Sequence, residues 1–205
     1  MLRAPILALA LLLAASPTRA GGAARASCAS TDPVTTVREA EKQVRAAFRA
    51  GGKRAELERI GAACIDYEEL TRRSLGSRWA GLSPADRSAI VKSLRALVEE
   101  TYFSGLFRPD PVFAFAVLGK KVTGTEASVK VLFQSGGQQA PADVRLVRGK
   151  DRRWRAFDAT VNGVAVLSGY QEMFPPLLDM GGVPMLLATL AAQRAALAGM
   201  RSGRP

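Results

Sequence analysis

Residues 154–164 read Trp154-Arg155-Ala156-Phe157-Asp158-Ala159-Thr160-Val161, then Asn162-Gly163, then Val164. Asn-Gly between two apolar runs is the strongest short signal for a β-hairpin, because both turn positions need positive φ. The stretch therefore predicts a strand over 153–161, a tight reversal and a second strand over 164–167. A mostly antiparallel sheet is expected around it.

Working back from this hairpin, strands are expected over 112–118, 128–134 and 142–148. Val129, Val131 and Phe133 alternate with Lys130 and Leu132, and Val144, Leu146 and Arg148 alternate with Arg145 and Val147. Gly136-Gly137 and Gly149-Lys150-Asp151 read as turns, as does Gly119-Lys120-Lys121. The run 112–118 is apolar on both faces, so the sheet is covered on both sides or lines a cavity. Further upstream the period becomes helical. Asp32-Pro33 opens a helix with Val34, Val37, Val44 and Phe48 on one face, and Gly51-Gly52 stops it. A short helix carries Leu57, Ile60 and Cys64. Asp66 with Glu69 resembles a capping box, leading a helix that holds Leu70 and Leu75 and ends at Gly76. Ser83-Pro84-Ala85-Asp86 starts what reads as the longest helix, to about residue 103, with Ile90, Leu94, Leu97, Val98 and Tyr102 at helical spacing. Downstream, a helical region from about Tyr170 breaks near Gly181-Gly182-Val183-Pro184 and resumes over 185–198. Helices followed by an antiparallel sheet make an α+β domain.

The chain opens as an exported one. Arg3, an apolar run over 6–15, Ser16-Pro17 and Thr18-Arg19-Ala20 have the layout of a secretory signal over residues 1–20, and cuts after Ala24 or Ala26 also fit. The run is too short to span a bilayer, and no other stretch reads as spanning, so a soluble mature protein is expected. Residues 21–31 read as a flexible leader, 32–198 as one domain and 199–205 as a tail.

The full chain has 29 Lys and Arg against 18 Asp and Glu, and no histidine. Without Arg3 and Arg19 the net charge is still +9. A basic surface outside the cytoplasm suits anionic lipid headgroups better than nucleic acid, for which no module motif is present. The missing histidine removes Ser-His, Cys-His and His-metal sites together. An oxidising compartment permits a disulfide between Cys28 and Cys64. Lipidation of Cys28 is the alternative, but Arg25 stands where a lipoprotein signal wants an aliphatic residue. Asp66, Glu68, Glu69 and Asp86 sit at helix starts, where acids favour the dipole. Glu99-Glu100 reads as a charged face. Asp158, inside a strand, reads as a structural hydrogen-bond acceptor. Neither Gly119-Lys120-Lys121 nor Gly149-Lys150 forms a phosphate-cradling loop.

Two segments together resemble a known family. One is Asp66-Tyr67-Glu68-Glu69-Leu70, Leu75-Gly76-Ser77-Arg78-Trp79, Leu82-Ser83-Pro84 and a helix ending in Thr101-Tyr102. The other is the opening stretch 154–164, continued through Tyr170 and Phe174. Across roughly residues 34–197 the chain is similar to the MlaC, or toluene-tolerance, family of periplasmic phospholipid-binding transport proteins. The resemblance implies a curved sheet with helices packed around it, as in nuclear-transport-factor-like folds, and an apolar cavity for acyl chains. It implies no catalysis and no cofactor, with bound phospholipid as cargo. The partners would be an inner-membrane ABC transporter complex and an outer-membrane lipoprotein complex, touched transiently. Family members usually carry Tyr-Arg where this chain has Tyr170-Gln171. A hopanoid-associated relative, a small exported enzyme and an adaptor without a cavity are the alternatives. Alternation, aromatic clustering and nearness to the matching motifs nominate cavity-lining residues. From the helix side and the segment after it come Leu97, Phe103, Leu106 and Phe107. From the sheet come Val131, Phe133, Val144, Leu146, Val161, Val164 and Val166. From the last helix come Tyr170 and Phe174.

Overall fold

Each cap signal in the sequence starts a helix. The Asp32 carboxylate accepts the Thr35 N–H at 2.8 Å, with Pro33 opening α1 (Pro33–Arg49). Asp66 accepts the Glu69 N–H at 2.9 Å to start α3 (Tyr67–Leu75). Ser83 accepts the Asp86 N–H at 3.1 Å to start α4 (Pro84–Val98). Between the first two lies α2 (Arg54–Cys64). The computed structural model describes residues 28–103, 114–135, 138–161 and 163–202. The expected signal over 1–20, Leu106 and Phe107 lie outside the described residues.

Five antiparallel strands follow in sequential order: β1 (Ala114–Thr123), β2 (Glu126–Ser135), β3 (Gln138–Arg148), β4 (Trp154–Val161) and β5 (Val164–Ala165). The chain closes with α5 (Val166–Ser202), whose helical backbone is interrupted at Gly181 and Gly182, the latter at φ 64°. The α+β architecture is the one the sequence indicates.

Three details differ from the sequence reading. Gly119-Lys120-Lys121 is not a turn but the middle of β1. The register shifts between Val117 and Gly119, so a bulge absorbs the glycine and the strand continues. The reversal comes at Gly124 instead, where φ is 60° between paired Thr123 and Glu126. The second arm of the Asn-Gly hairpin is only two residues long, because the Asp158 carboxylate accepts the Leu167 N–H at 2.9 Å and converts the chain to helix at Val166. Finally, α4 ends at Val98, and a π-helical turn occupies Glu99–Phe103, leaving α5 as the longest helix. By length and composition alone α5 could cross a membrane. Its break at Gly181-Gly182 and its buried Phe174, Leu186 and Leu190 instead pack it on α3 and α4.

Strand β4 is the hub. The Trp154 N–H donates to Ser30 O at 2.8 Å, and the Asp66 N–H donates to Ala156 O at 2.7 Å. Phe157 lies beneath the Arg73 guanidinium, 4.0 Å from ring centroid to cation, and Asp158 holds the start of α5. Three separate segments, the one before α1, α3 and the start of α5, are thus fixed by five consecutive residues. Cys28 and Cys64 form a disulfide, with Cα atoms 4.9 Å apart, which ties the segment before α1 to the end of α2.

Candidate functional site

In an antiparallel sheet, directly paired residues point to the same face. The register Val117↔Val131, Val131↔Ala142, Ala142↔Val161 and Val161↔Val164 therefore lays one apolar row across all five strands. Phe115↔Phe133 flanks it on one side, with ring centroids 5.5 Å apart, and Val129↔Val144 on the other. Leu146 shares this face too. Six of the sheet residues nominated from sequence thus stand on one surface: Val131, Phe133, Val144, Leu146, Val161 and Val164. Helix α1 covers its middle through Val34 and Val37. The row is graded: Val131 is 0% exposed, Val161 41% and Val164 74%. It runs from closed core to solvent at the β5 edge.

Leu97, Val166, Tyr170 and Phe174 fall elsewhere. They join the cluster that α3, α4 and α5 build on the opposite face, where Phe157 and Val147 supply the sheet's contribution. Phe103 ends the π-helical turn. The other nominated residues among those described therefore divide between two apolar bodies with the sheet between them. Phe115 and Val117 share the graded face and were missed as lining residues, although their alternation was visible in the sequence.

A separate cavity of about 420 Å³ lies between α2, the π-helical turn and α5. Ala96 of α4 faces Ala191, Ala195 and Ala198 of α5. That spacing puts the three on one helical face, and their methyl groups do not fill the gap. The charged lining is Arg54, Glu99, Glu100 and Arg194. The Glu99-Glu100 pair, read from sequence as a charged face, is buried, its side chains 8% and 5% exposed. Burying such acids costs several kcal/mol each without partners. Partners are supplied: Arg95 Nε donates to Glu99 Oε1 at 2.8 Å and the Tyr67 hydroxyl to the same oxygen at 3.2 Å. Arg54 Nη2 pairs with Glu100 Oε2 at 2.7 Å. Burial, helped by the Glu99 carboxylate, pushes the Tyr67 phenol far above its ordinary range, so it stays a donor. Consecutive side chains diverge on an α-helix. The wider π turn, a feature frequent at functional sites, lets both acids line one space.

A shallower cleft of about 500 Å³ involves Asp66, Glu69, Arg72, Asp151 and Arg155. Within it Arg72 pairs with Glu69 and Arg155 with Asp151, and Arg155 holds the Asp151 carboxyl down to about 2. Asp158 accepts from Leu167 and lies 3.4 Å from Arg145, which makes it a structural acceptor. Among the described residues no group of three or more His, Cys, Asp or Glu could hold a metal ion. Gln171 donates to Arg73 O at 3.2 Å.

The family model described as MlaC protein matches residues 31–192. The chain belongs to the MlaC family. No curated protein matches it. Among solved structures it is similar to the phospholipid-binding protein from Ralstonia solanacearum, determined in complex with a phospholipid. That likeness has a TM-score of 0.71 at 20% identity, covers 79% of this chain and 96% of the other, and establishes a shared fold.

Proposed function

We propose that this MlaC-family chain is a periplasmic lipid carrier that shelters phospholipid acyl chains against the graded apolar face of its sheet. The observation that carries the reading is the five-strand row from Val117 to Val164, buried at its centre and open at the β5 edge. Membership of the family and the shared fold with a phospholipid-binding protein support it. Each methylene removed from water contributes about 0.8 kcal/mol, so a protected path for two tails makes an aqueous shuttle feasible. Loading and release then require α1 to move from the sheet face. The tail path takes Val131, Phe133, Val144, Val161 and Val164 from the sheet.

In this reading the cargo passes between an outer-membrane lipoprotein complex and an inner-membrane ABC transporter complex, maintaining the lipid asymmetry of the outer membrane. Bond-making chemistry and a cofactor play no part. The secretory signal read over residues 1–20 and the Cys28–Cys64 disulfide suit an oxidising compartment. Native mass spectrometry of protein exported with its own signal, followed by lipid extraction, tests the proposal. Stoichiometric phospholipid is expected, and protein that carries no lipid overturns it.

A further inference from the structure

The geometry points to a binding site for an ammonium–phosphate zwitterion, the chemistry of an ethanolamine phospholipid headgroup, in the cavity between α2, the π-helical turn and α5. The assignment deepens the carrier reading and rests on it. Three observations lead there. The first is space. About 420 Å³ sits within the range of small-molecule sites, and it persists because alanines meet across it at Ala96, Ala191 and Ala195.

The second is the direction of charge. The carboxylates are deep and the arginines shallow: Glu99 and Glu100 are almost wholly buried, while Arg54 is 40% exposed and Arg194 lies on the exposed face of α5. A ligand entering here meets cations first and anions last, so its anionic group belongs at the rim and its cationic group inside.

The third is spare bonding capacity. Both hydrogen bonds to Glu99 fall on Oε1, from Arg95 and Tyr67, and among the described residues Oε2 receives none. A carboxylate has about four acceptor positions, so Oε2 can take an ammonium N–H without breaking the existing network. Arg194 has no ion pair among the described residues, and its guanidinium fork matches two phosphate oxygens. An all-anionic headgroup would satisfy Arg194 but leave Glu99 facing it, a like-charge contact that disfavours that class.

The test offers delipidated protein to vesicles of equal phosphatidylethanolamine and phosphatidylglycerol and identifies the captured lipid by mass spectrometry. Charge-assisted hydrogen bonds of this kind correspond to about tenfold in affinity, so the wild type is expected to favour the ethanolamine lipid by about that factor. Glu99→Gln and Arg194→Glu are expected to bring the ratio near one. Arg194 is exposed, so its variant keeps the fold even where Glu99→Gln does not. A wild-type ratio near one, unmoved by Arg194→Glu, overturns the headgroup site and leaves the carrier reading standing. Capture of neither lipid overturns the carrier reading itself. Calorimetry with soluble glycerophosphoethanolamine separates the source of the ligand. Binding abolished by Arg194→Glu supports the site, and if it occurs without lipid preference it assigns the site to the free zwitterion. Absence of both signals overturns the assignment.

Discussion

The two apolar bodies on either side of the sheet are built from similar residues but end differently. On the helical side, α3, α4 and α5 close over Phe157, and Ile90, Leu94, Phe174 and Leu186 are all wholly buried. On the other side, Val129, Val131 and Leu146 are equally buried under α1, yet the same face continues into half-buried Phe115, Phe133 and Val144 and then exposed Val161 and Val164. Closed packing fixes a structure, whereas a face that continues past its cover leaves room for another apolar molecule. In the proposed reading the closed side serves stability and the open face receives the acyl chains.

The largest expected effect tests the closed side. Phe174→Ala should destabilise the protein by about 3–5 kcal/mol, read as a fall in the thermal midpoint. Phe133→Ala, on a half-buried residue, should cost clearly less while losing more bound lipid. Equal stability costs would erase the distinction. Next is the bond that holds α2 and the segment before α1 together. Replacing Cys28 and Cys64 with serine reopens a loop of sequence separation 36, at about 3–4 kcal/mol by the chain-entropy account, measurable by urea denaturation with and without reductant. Smaller again is Val164→Arg. At an exposed site it should change stability by no more than about 0.5 kcal/mol. It should still lower co-purifying phospholipid severalfold, and wild-type retention would remove Val164 from the tail path.

The smallest effect concerns the salt links between sheet and covers. Lys120 meets Asp32 at 2.7 Å on the α1 side, and Arg73 meets Glu126 at 2.8 Å on the helical side. Lys120 lowers Asp32, and Arg73 lowers Glu126, below their ordinary values of 3.8 and 4.5. A carboxyl depressed in the folded state contributes stability above its unfolded value and loses it as the pH falls. Stability should therefore decline as pH drops below about 4.5. Glu126→Gln should flatten that decline and, for an exposed pair, cost only a few tenths of a kcal/mol at neutral pH. Urea midpoints at pH 7 and pH 3.5 measure both.

Local chemistry was legible in the sequence where one residue decides it. Asp32, Asp66 and Ser83 cap their helices, and Gly181-Gly182 breaks the last one. Asp158 was recognisable as an acceptor, though not as the group that would cut β5 short. The misreadings arose where tertiary structure overrode local preference. Gly119-Lys120-Lys121 has turn composition, but pairing with β2 and a bulge carry the strand through it. Glu99-Glu100 looks solvated because charge is usually exposed; the π turn buries it, with three partners, Arg54 of α2, Tyr67 of α3 and Arg95 of α4. Alternation shows which residues share a face of the sheet, but pattern does not reveal which side of a sheet a helix will cover. Leu97, Tyr170 and Phe174 were therefore grouped with residues of the opposite face. The alanines of α5 carry no chemical signal in the sequence. Only their recurrence at 191, 195 and 198 hinted at a shared face.

Those alanines bear on how the protein would respond to selection. Leucine at Ala195 would fill space that now holds no side chain, and a variant library ranked by heat resistance alone should enrich such replacements. If the cavity serves a ligand, the same replacements should vanish from a library ranked by growth under envelope stress. The helix would then record two opposed pressures at a single position, and the small residue found there marks which one has prevailed.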